Sequence, residues 1–257
     1  MKSKRIVIKV GSAVLTENGH IATDRMQSLV NFLAELKKEN EVILVSSGAV
    51  SAGFTQLPLD RSSIANKQAL ASIGQPILMD KYSKKFAEHK ILCSQILVTA
   101  ANLNKDADVV RVTNTVNILL QNDVLPIVNE NDATATEELE VGDNDQLSAY
   151  LAKDVGANLL IILSDIDAYY DKDPRKNEDA QVLKIVENIP NEELQKEVTP
   201  NSVFATGGIV TKLKAAKLLL DNNIDTFLAS GFNLDDVKNF TLSDRHNGGT
   251  LFKGSIE

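Results

Sequence analysis

The sequence predicts an α/β fold, a three-layer α/β/α sandwich with a mainly parallel central sheet, from two features of its patterning. Short runs rich in Val, Ile and Leu are almost continuously apolar, which is typical of strands covered on both faces. Helical patterns alternate with these runs, as the crossover connections between parallel strands require. The predicted strands are residues 5–10, 41–46, 91–98, 124–128, 158–163 and 224–229.

The helical patterns are clearest in three segments. Apolar residues recur at helical spacing in residues 26–36, which follow the cap signal Thr23-Asp24. They do so again in residues 209–220, and the following Asn222-Asn223 tolerates the left-handed conformation that ends many helices. Residues 62–89 also have a helical pattern, in which Pro76 predicts a break.

Composition and charge narrow the class of protein. The chain has 257 residues, a formal net charge of −8 and a pI of about 5.0, which argues against a nucleic-acid surface and favours a small-molecule substrate. No apolar run reaches the roughly 18 residues of a membrane span, and the N-terminus lacks a signal-peptide pattern. The single cysteine, Cys93, excludes an internal disulfide framework. We therefore expect a cytoplasmic protein with no membrane or nucleic-acid partner.

Small or polar residues follow five of the six predicted strands, at the edge where parallel sheets bind ligands. Singly, each such turn is explained equally well as a helix cap, since Gly, Ser, Asn and Asp are common turn residues. Their combination with two lysines favours a ligand site. The turns are Gly11-Ser12, Ser47-Gly48, Asn129 to Asp132, Ser164-Asp165 and Ser230-Gly231.

Lys9 and Lys212 are the two lysines in unusual surroundings. Lys9 lies within the apolar run of the first strand, where an ammonium group requires a partner, either by reaching past the sheet edge or by binding an anion. Lys212 lies in the first turn of a predicted helix, after Thr206-Gly207-Gly208, although the helix dipole disfavours a cation there. Free amides, glycines and a lysine together suit a phosphate group, whereas a solvated lysine is the simpler alternative.

Two acidic and amide-rich segments complete the candidate site. One of the residues Asp143, Asn144 and Asp145 is sufficient to cap the helix that follows, so the others are available to a ligand or a cation. The segment Asn129 to Asp132 is explained equally well by loop structure and by ligand binding.

These residues together favour phosphoryl transfer from ATP, with magnesium on the phosphates, to an acceptor that needs no deprotonation. A carboxylate acceptor is already ionised at neutral pH. Lys9 and Lys212 would neutralise the transferring phosphoryl group, and Asp145 would hold the two lysines in place. The dinucleotide-binding glycine pattern, the calcium-loop spacing and the nucleophile-elbow spacing are not matched.

Several segments, in order along the chain, resemble those of the amino acid kinase family, and within it the branch that phosphorylates glutamate. The segments Asn-Glu-Asn-Asp at 129–132 and Gly-Asp-Asn-Asp at 142–145 are characteristic of that branch. The others are Ile6 to Ser12, Val45 to Ala49, Thr206 to Lys212 and Gly249 to Phe252.

The resemblance implies transfer of the γ-phosphoryl group of ATP, with Mg²⁺, to the γ-carboxylate of L-glutamate, the first step of proline biosynthesis. It also implies a single kinase domain over 1–257, with an amino-acid-binding lobe at 1–156 and a nucleotide-binding lobe at 157–257. We expect a homo-oligomer, either dimer or tetramer, and possible feedback inhibition by proline. The chain ends after the kinase core, so no C-terminal RNA-binding-like domain is expected.

The family's site residues are carried over only where the motifs match. Lys9, Lys212 and Asp145 correspond to the catalytic group. The expected glutamate contacts are Ser47, Asp132, Asn144 and Asp143. The expected nucleotide contacts are Lys9, Ser164, Asp165, Thr206, Gly207, Gly208, Ile209, Val210, Thr211 and Lys212, and the magnesium ligands are not identified.

Two positions depart from the family pattern, and the residues leave three other functions open. Ser164 stands in place of a usual Thr and keeps the hydroxyl, and Ala168 replaces a common Gly. The same fold could serve another acceptor, namely acetylglutamate, aspartate, carbamate or a nucleoside monophosphate. A non-catalytic amino-acid sensor would not need both Lys9 and Lys212, and a nicotinamide oxidoreductase lacks its glycine pattern.

Overall fold

The computed structural model describes residues 3–103, 105–134, 144–195 and 208–254. Most of the strands in this part of the chain form one eight-stranded sheet, and the other two form a separate hairpin. The strands are β1 (Arg5–Val10), β2 (Thr16–Glu17), β3 (His20–Ile21), β4 (Glu41–Ser46), β5 (Cys93–Val98), β6 (Leu125–Glu130), β7 (Leu159–Ser164), β8 (Ile185–Val186), β9 (Asp225–Ser230) and β10 (Thr250–Phe252).

Helices connect most of these strands. They are α1 (Ser12–Leu15), α2 (Thr23–Leu36), α3 (Ala49–Phe54), α4 (Ile64–Glu88), α5 (Ala100–Leu103), α6 (Asp106–Gln121), α7 (Asn144–Asp154), α8 (Asn191–Leu194), α9 (Ile209–Leu220) and α10 (Asp235–Leu242). None of the described helices is long and apolar enough to cross a membrane.

The large sheet has the strand order β5-β6-β4-β1-β7-β9-β10-β8. Its first six strands are parallel, while β10 runs antiparallel to β9 and β8 pairs parallel with β10. The sheet is continuous across the two predicted lobes, because β1 of the first pairs directly with β7 of the second. The lobe boundaries themselves stay a prediction.

Strand β1 shows how the sheet separates two hydrophobic layers. Ile6, Ile8 and Val10 pack on one face, in the cluster formed with α2, α4 and α10. Val7 packs on the other face, in the cluster that contains α7 and α9. Since side chains alternate along a strand, Lys9 is directed to the same face as Val7. This face is therefore where a partner for the buried lysine has to lie.

The predicted three-layer sandwich with a mainly parallel sheet is confirmed. Each of the six predicted strands is present, with its ends within two residues of the prediction. Asn223, just beyond α9, is left-handed as the sequence predicts, with φ 57°. The short strands β8 and β10 were not predicted, because two or three residues carry no readable alternation.

The predicted break at Pro76 is wrong, because α4 continues through it. Proline removes the N–H that would bond to the carbonyl of Ser72, and both residues lie on the exposed side of the helix. Water can satisfy that carbonyl, while Leu70, Leu78 and Phe86 on the opposite side are fully buried. Packing of the buried side therefore outweighs the lost backbone hydrogen bond.

Helices α3 and α4 pack with their backbones in close contact through two glycines. A Cβ atom on Gly74 would lie 1.8 Å from the carbonyl oxygen of Ala49 and 2.4 Å from the backbone nitrogen of Gly53. A Cβ atom on Gly53 would lie 1.9 Å from the carbonyl oxygen of Leu70. Backbone atoms cannot swing aside as a flexible side chain can, so only glycine permits this approach.

We expect Gly74→Ala to lower the free energy of unfolding by about 1–3 kcal/mol, the usual cost of overpacking. Urea denaturation measures this change. Gly254→Ala is the matched control, since its nearest neighbour would be an ordinary 3.8 Å from the new Cβ atom. Equal stabilities of the two variants would contradict the close packing of α3 on α4.

Candidate active site

The centre of the candidate site is one buried carboxylate that contacts two buried lysines. Lys9 Nζ lies 2.6 Å from Asp145 Oδ1, and Lys212 Nζ lies 3.0 Å from Asp145 Oδ2. The side chain of Asp145 is fully buried, and those of the two lysines are 2–3% exposed. Ionised groups this deep are retained only when they are paired and hydrogen-bonded. The structure thus brings together all three residues that the sequence predicts as the catalytic group.

Three separate elements supply this lysine–aspartate cluster. Lys9 is on β1, Asp145 is in the first turn of α7, and Lys212 is in the first turn of α9. The helices pack against each other and against the same face of the sheet. Because Lys9 is near the carboxyl end of its strand, the cluster lies at the edge where open parallel sheets bind ligands.

The start of α9 adds a hydroxyl group to the cluster. Thr211 Oγ1 lies 2.9 Å from Asp145 Oδ2 and 3.0 Å from the carbonyl oxygen of Gly208. Lys212 Nζ also lies 3.4 Å from that carbonyl oxygen. Asp145 Oδ2 therefore accepts from both an ammonium and a hydroxyl group, which holds the first turn of α9 against α7.

A second polar group involves the predicted glutamate contacts Ser47 and Asn144. Asn144 Nδ2 lies 2.9 Å from Ser47 Oγ, 3.1 Å from the carbonyl oxygen of Ser46 and 3.0 Å from Asn129 Oδ1. Ser47 follows β4, and Gly48 at φ 108° allows the chain to turn sharply into α3. Asn144 directly precedes Asp145, so the start of α7 belongs to both polar groups.

Asp132 lies just beyond the end of β6 and is partly buried. Burial raises the pKa of the Asp132 carboxyl to about 6, because removal of water disfavours the charged form. A carboxylate that loses hydration on folding is stabilised when a cationic group binds beside it. Asp132 is thus suited to bind an ammonium group. Asp143, the remaining predicted glutamate contact, lies outside the described residues.

The predicted nucleotide contacts that the structure describes lie at the carboxyl end of β7 and at the start of α9. Ser164 is buried at the end of β7, and its hydroxyl donates to Asp165 Oδ1 at 2.9 Å. Gly208 directly precedes α9, whose first two residues are Ile209 and Val210. The side chain of Val210 is buried in the protein. Thr206 and Gly207 lie outside the described residues.

Sequence reasoning missed part of the second polar group. Asn129 was grouped with the loop after β6, whereas it is a buried strand residue that accepts from Asn144. Gln75, a buried residue of α4, accepts from Asn129 Nδ2 at 2.9 Å. An amide in an otherwise apolar helical face was the available signal for Gln75, but periodicity does not reveal its partner.

Comparison of the sequence with those of known proteins identifies the family to which the chain belongs. Residues 4–230 match the model of the amino acid kinase family. The chain belongs to the amino acid kinase family. A glutamate 5-kinase of Wolinella succinogenes is 51% identical over 254 residues, covering 97% of each chain. A glutamate 5-kinase of Leishmania donovani is 49% identical over 253 residues, covering 98% of this chain and 96% of that protein. The predicted resemblance to the glutamate-phosphorylating branch is confirmed.

A solved structure shares the fold at much lower sequence similarity. The isopentenyl phosphate kinase of T. acidophilum has a TM-score of 0.67 and 15% sequence identity, covering 97% of this chain and 100% of that one. At this identity the likeness establishes the amino acid kinase fold and not the acceptor.

We expect Asp145→Asn to lower the free energy of unfolding by about 3–5 kcal/mol, as removal of one partner from a buried ion pair does. The substitution removes the negative charge that Lys9 and Lys212 both contact. Urea denaturation at neutral pH measures the loss. Asp80→Asn is the control, because Asp80 pairs with Lys84 on the surface of α4, where such a pair contributes at most about 1 kcal/mol. Similar losses in both variants would refute the structural role of Asp145.

Proposed function

We propose that the protein catalyses ATP-dependent phosphorylation of the γ-carboxylate of L-glutamate, forming L-glutamyl 5-phosphate and ADP. The observation that carries this proposal is the convergence of Lys9 and Lys212 on Asp145 at the ligand-binding edge of the sheet. The names of the relatives, together with their identity over nearly the whole chain, support glutamate as the acceptor. The product would serve as the first intermediate of proline biosynthesis.

The reaction needs a positive environment rather than a base. One γ-carboxylate oxygen attacks the γ-phosphorus of ATP, a new O–P bond forms, and the bond to the β-phosphate oxygen breaks to release ADP. The attacking carboxylate is already ionised at neutral pH, so no proton has to be removed. The main barrier is the approach of two anions and the charge on the transferring group.

Lys9 and Lys212 supply the required charge, and Asp145 sets their positions. Two ammonium groups and one carboxylate leave the cluster with a net charge of about +1, available to the phosphoryl oxygens. Both lysines are fixed before the substrates bind, so their stabilisation costs little reorganisation during the reaction. Asp145 acts as a positioning residue in this scheme and accepts no proton.

The remaining predicted residues divide between the two substrates. Ser47, Asp132 and Asn144 bind glutamate in this proposal, with Asp143 as a further contact. Ser164, Asp165 and the segment 206–212 bind the nucleotide. The described residues contain no cluster of three His, Cys, Asp or Glu side chains able to hold a metal ion. We propose that Mg²⁺ arrives as the MgATP substrate, held by the phosphates.

The family resemblance also supports proposals about assembly, location and regulation. We propose one kinase domain over 1–257, with the lobes 1–156 and 157–257, that works in the cytoplasm as a homodimer or homotetramer. Proline, the end product of the pathway, is the proposed feedback inhibitor. Light scattering of the purified protein and the glutamate assay repeated with proline test the assembly and the inhibition.

An acceptor panel tests the function. With MgATP, we expect glutamate to be phosphorylated in preference to acetylglutamate, aspartate, carbamate and a nucleoside monophosphate, with hydroxylamine trapping of the acyl phosphate and ADP release as readouts. Lys9→Ala should lower kcat by at least about 100-fold with little change in KM for glutamate, because its charge acts on the transferring group. Preference for another acceptor, or no turnover with any of them, would refute the proposal.

The affinity for glutamate should depend on pH through Asp132. Its raised pKa of about 6 means that the carboxylate is mostly charged above pH 7 and mostly neutral below pH 5. An uncharged Asp132 cannot pair with the α-ammonium group of glutamate, so KM for glutamate should rise about tenfold per pH unit below 6. Initial rates at saturating MgATP between pH 5 and pH 8 measure this dependence. In Asp132→Asn, KM for glutamate should be high at every pH. If this variant shows the same pH dependence of KM as the wild type, the titrating group is not Asp132.

A further inference from the structure

A continuous chain of side-chain amides runs from the edge of the sheet to the start of α7. Gln75 Nε2 donates to Gln95 Oε1 at 3.1 Å, and Asn129 Nδ2 donates to Gln75 Oε1 at 2.9 Å. Asn144 Nδ2 lies 3.0 Å from Asn129 Oδ1 and 2.9 Å from Ser47 Oγ. Gln75, Asn129 and Asn144 are all at least nine-tenths buried. We name these residues, from Gln95 to Asn144, the amide relay.

Backbone groups fix the direction of the amide relay. The carbonyl oxygen of Ser46 can only accept, so the nitrogen side of the Asn144 amide faces it. The N–H of Glu130 can only donate, and it donates to Asn129 Oδ1 at 2.9 Å. Since Asn129 Oδ1 faces the N–H of Glu130 and the nitrogen of Asn144, the nitrogen of Asn129 must point the other way, toward Gln75. Gln75 Oε1 is the acceptor that this arrangement requires.

The fixed direction leaves the side-chain oxygen of Asn144 as an unused acceptor. Asn144 Oδ1 is buried and has no hydrogen-bond partner among the residues that the structure describes. A buried acceptor without a partner is unfavourable, and a bound donor removes that cost. At neutral pH the only hydrogen-bond donor of glutamate is its α-ammonium group, since both carboxylates are ionised.

We propose that Gln75 is a positioning residue for the acceptor substrate. Through Asn129 it holds Asn144 with Oδ1 turned to the α-ammonium group of glutamate. This inference rests on the proposed function and adds to Asp132 a second group by which the site distinguishes an amino acid from a simple dicarboxylate. Without an acceptor at position 75, the buried amide of Asn129 has to turn elsewhere, and Asn144 then loses one of the groups that orient it.

The packing of α4 gives Gln75 the rigidity that this role requires. The adjacent Gly74 brings α4 into backbone contact with Ala49 and Gly53 of α3. Helix α3 begins directly after Ser47-Gly48, so the same contact that places Gln75 also places Ser47. Two of the three acceptors of the Asn144 nitrogen, namely Asn129 Oδ1 and Ser47 Oγ, are thus supported from α4.

Two substitutions of Gln75 separate positioning from bulk packing. Gln75→Met keeps the approximate length of the side chain and removes the acceptor, whereas Gln75→Glu keeps an acceptor oxygen for Asn129. The exposed Gln95 amide can rotate to donate to the new carboxylate. The readouts are KM for glutamate, KM for MgATP, and the Ki of glutarate, which is glutamate without its ammonium group.

For Gln75→Met we expect KM for glutamate to rise about tenfold, the effect of one hydrogen bond, with KM for MgATP within about twofold of wild type. The ratio of the glutarate Ki to the glutamate KM should fall at least about fivefold, because the lost contact is specific to the ammonium group. Gln75→Glu should keep both values within about threefold of wild type. Gln121→Met, at an exposed glutamine that ends α6, should change nothing.

The outcomes distinguish this inference from the function on which it rests. A wild-type protein that does not phosphorylate glutamate refutes both. The positioning role alone is refuted if the wild type phosphorylates glutamate but Gln75→Met leaves the ratio of glutarate Ki to glutamate KM unchanged. It is also refuted if Gln75→Met raises KM for glutamate and KM for MgATP in parallel. A Gln75→Glu variant that behaves like Gln75→Met refutes it as well. If thermal melting shows that Gln75→Met does not fold, Gln75→Ala is judged by the same ratio.

Discussion

The site depends on a single buried carboxylate that two ammonium groups share. Desolvation makes each of these charges unfavourable by itself, and only their mutual contact makes the burial of Lys9, Asp145 and Lys212 acceptable. The cost of such a cluster argues that it is retained for a purpose other than stability. Its excess of one positive charge, at the edge of the sheet, suits a polyanionic substrate. The contacts within the cluster also join β1, α7 and α9.

The surrounding fold follows from the need to bring these three elements together. Parallel strands place their carboxyl ends at one edge, and the alternation along β1 sends Lys9 to the face covered by α7 and α9. The close glycine contact between α3 and α4, in the opposite layer, positions Ser47 and Gln75 for the polar group around Asn144. Asp145 of α7 is therefore held by Lys212 of α9 in one layer, while Asn144 of the same helix is oriented in part by α4 from the other layer.

The sequence predicted the six parallel strands of the sheet, their order along the chain and the lysine pair, since each of these has a local signature. Lys9 stood out as a charge in an apolar run, and Lys212 as a cation at the start of a helix. The continuation of α4 through Pro76 could not be predicted, because it depends on which side of the helix faces water. Gln75 and Asn129 were missed for a related reason. Their role comes from hydrogen bonds across 54 residues of sequence, which no periodicity encodes.

The first turn of α7 explains how the two halves of the site act together. Asn144 and Asp145 are consecutive, yet the amide of Asn144 joins the uncharged relay while the carboxylate of Asp145 joins the two lysines. Neutral amides do not change the net charge of the site, so the proposed role of the lysines toward the phosphates is compatible with the proposed role of the amides toward glutamate. Because one turn of α7 carries both residues, any movement of Asn144 also moves the carboxylate that Lys9 and Lys212 contact. In the proposed reaction, correct placement of the acceptor and stabilisation of the transferring group would thus be a single structural requirement.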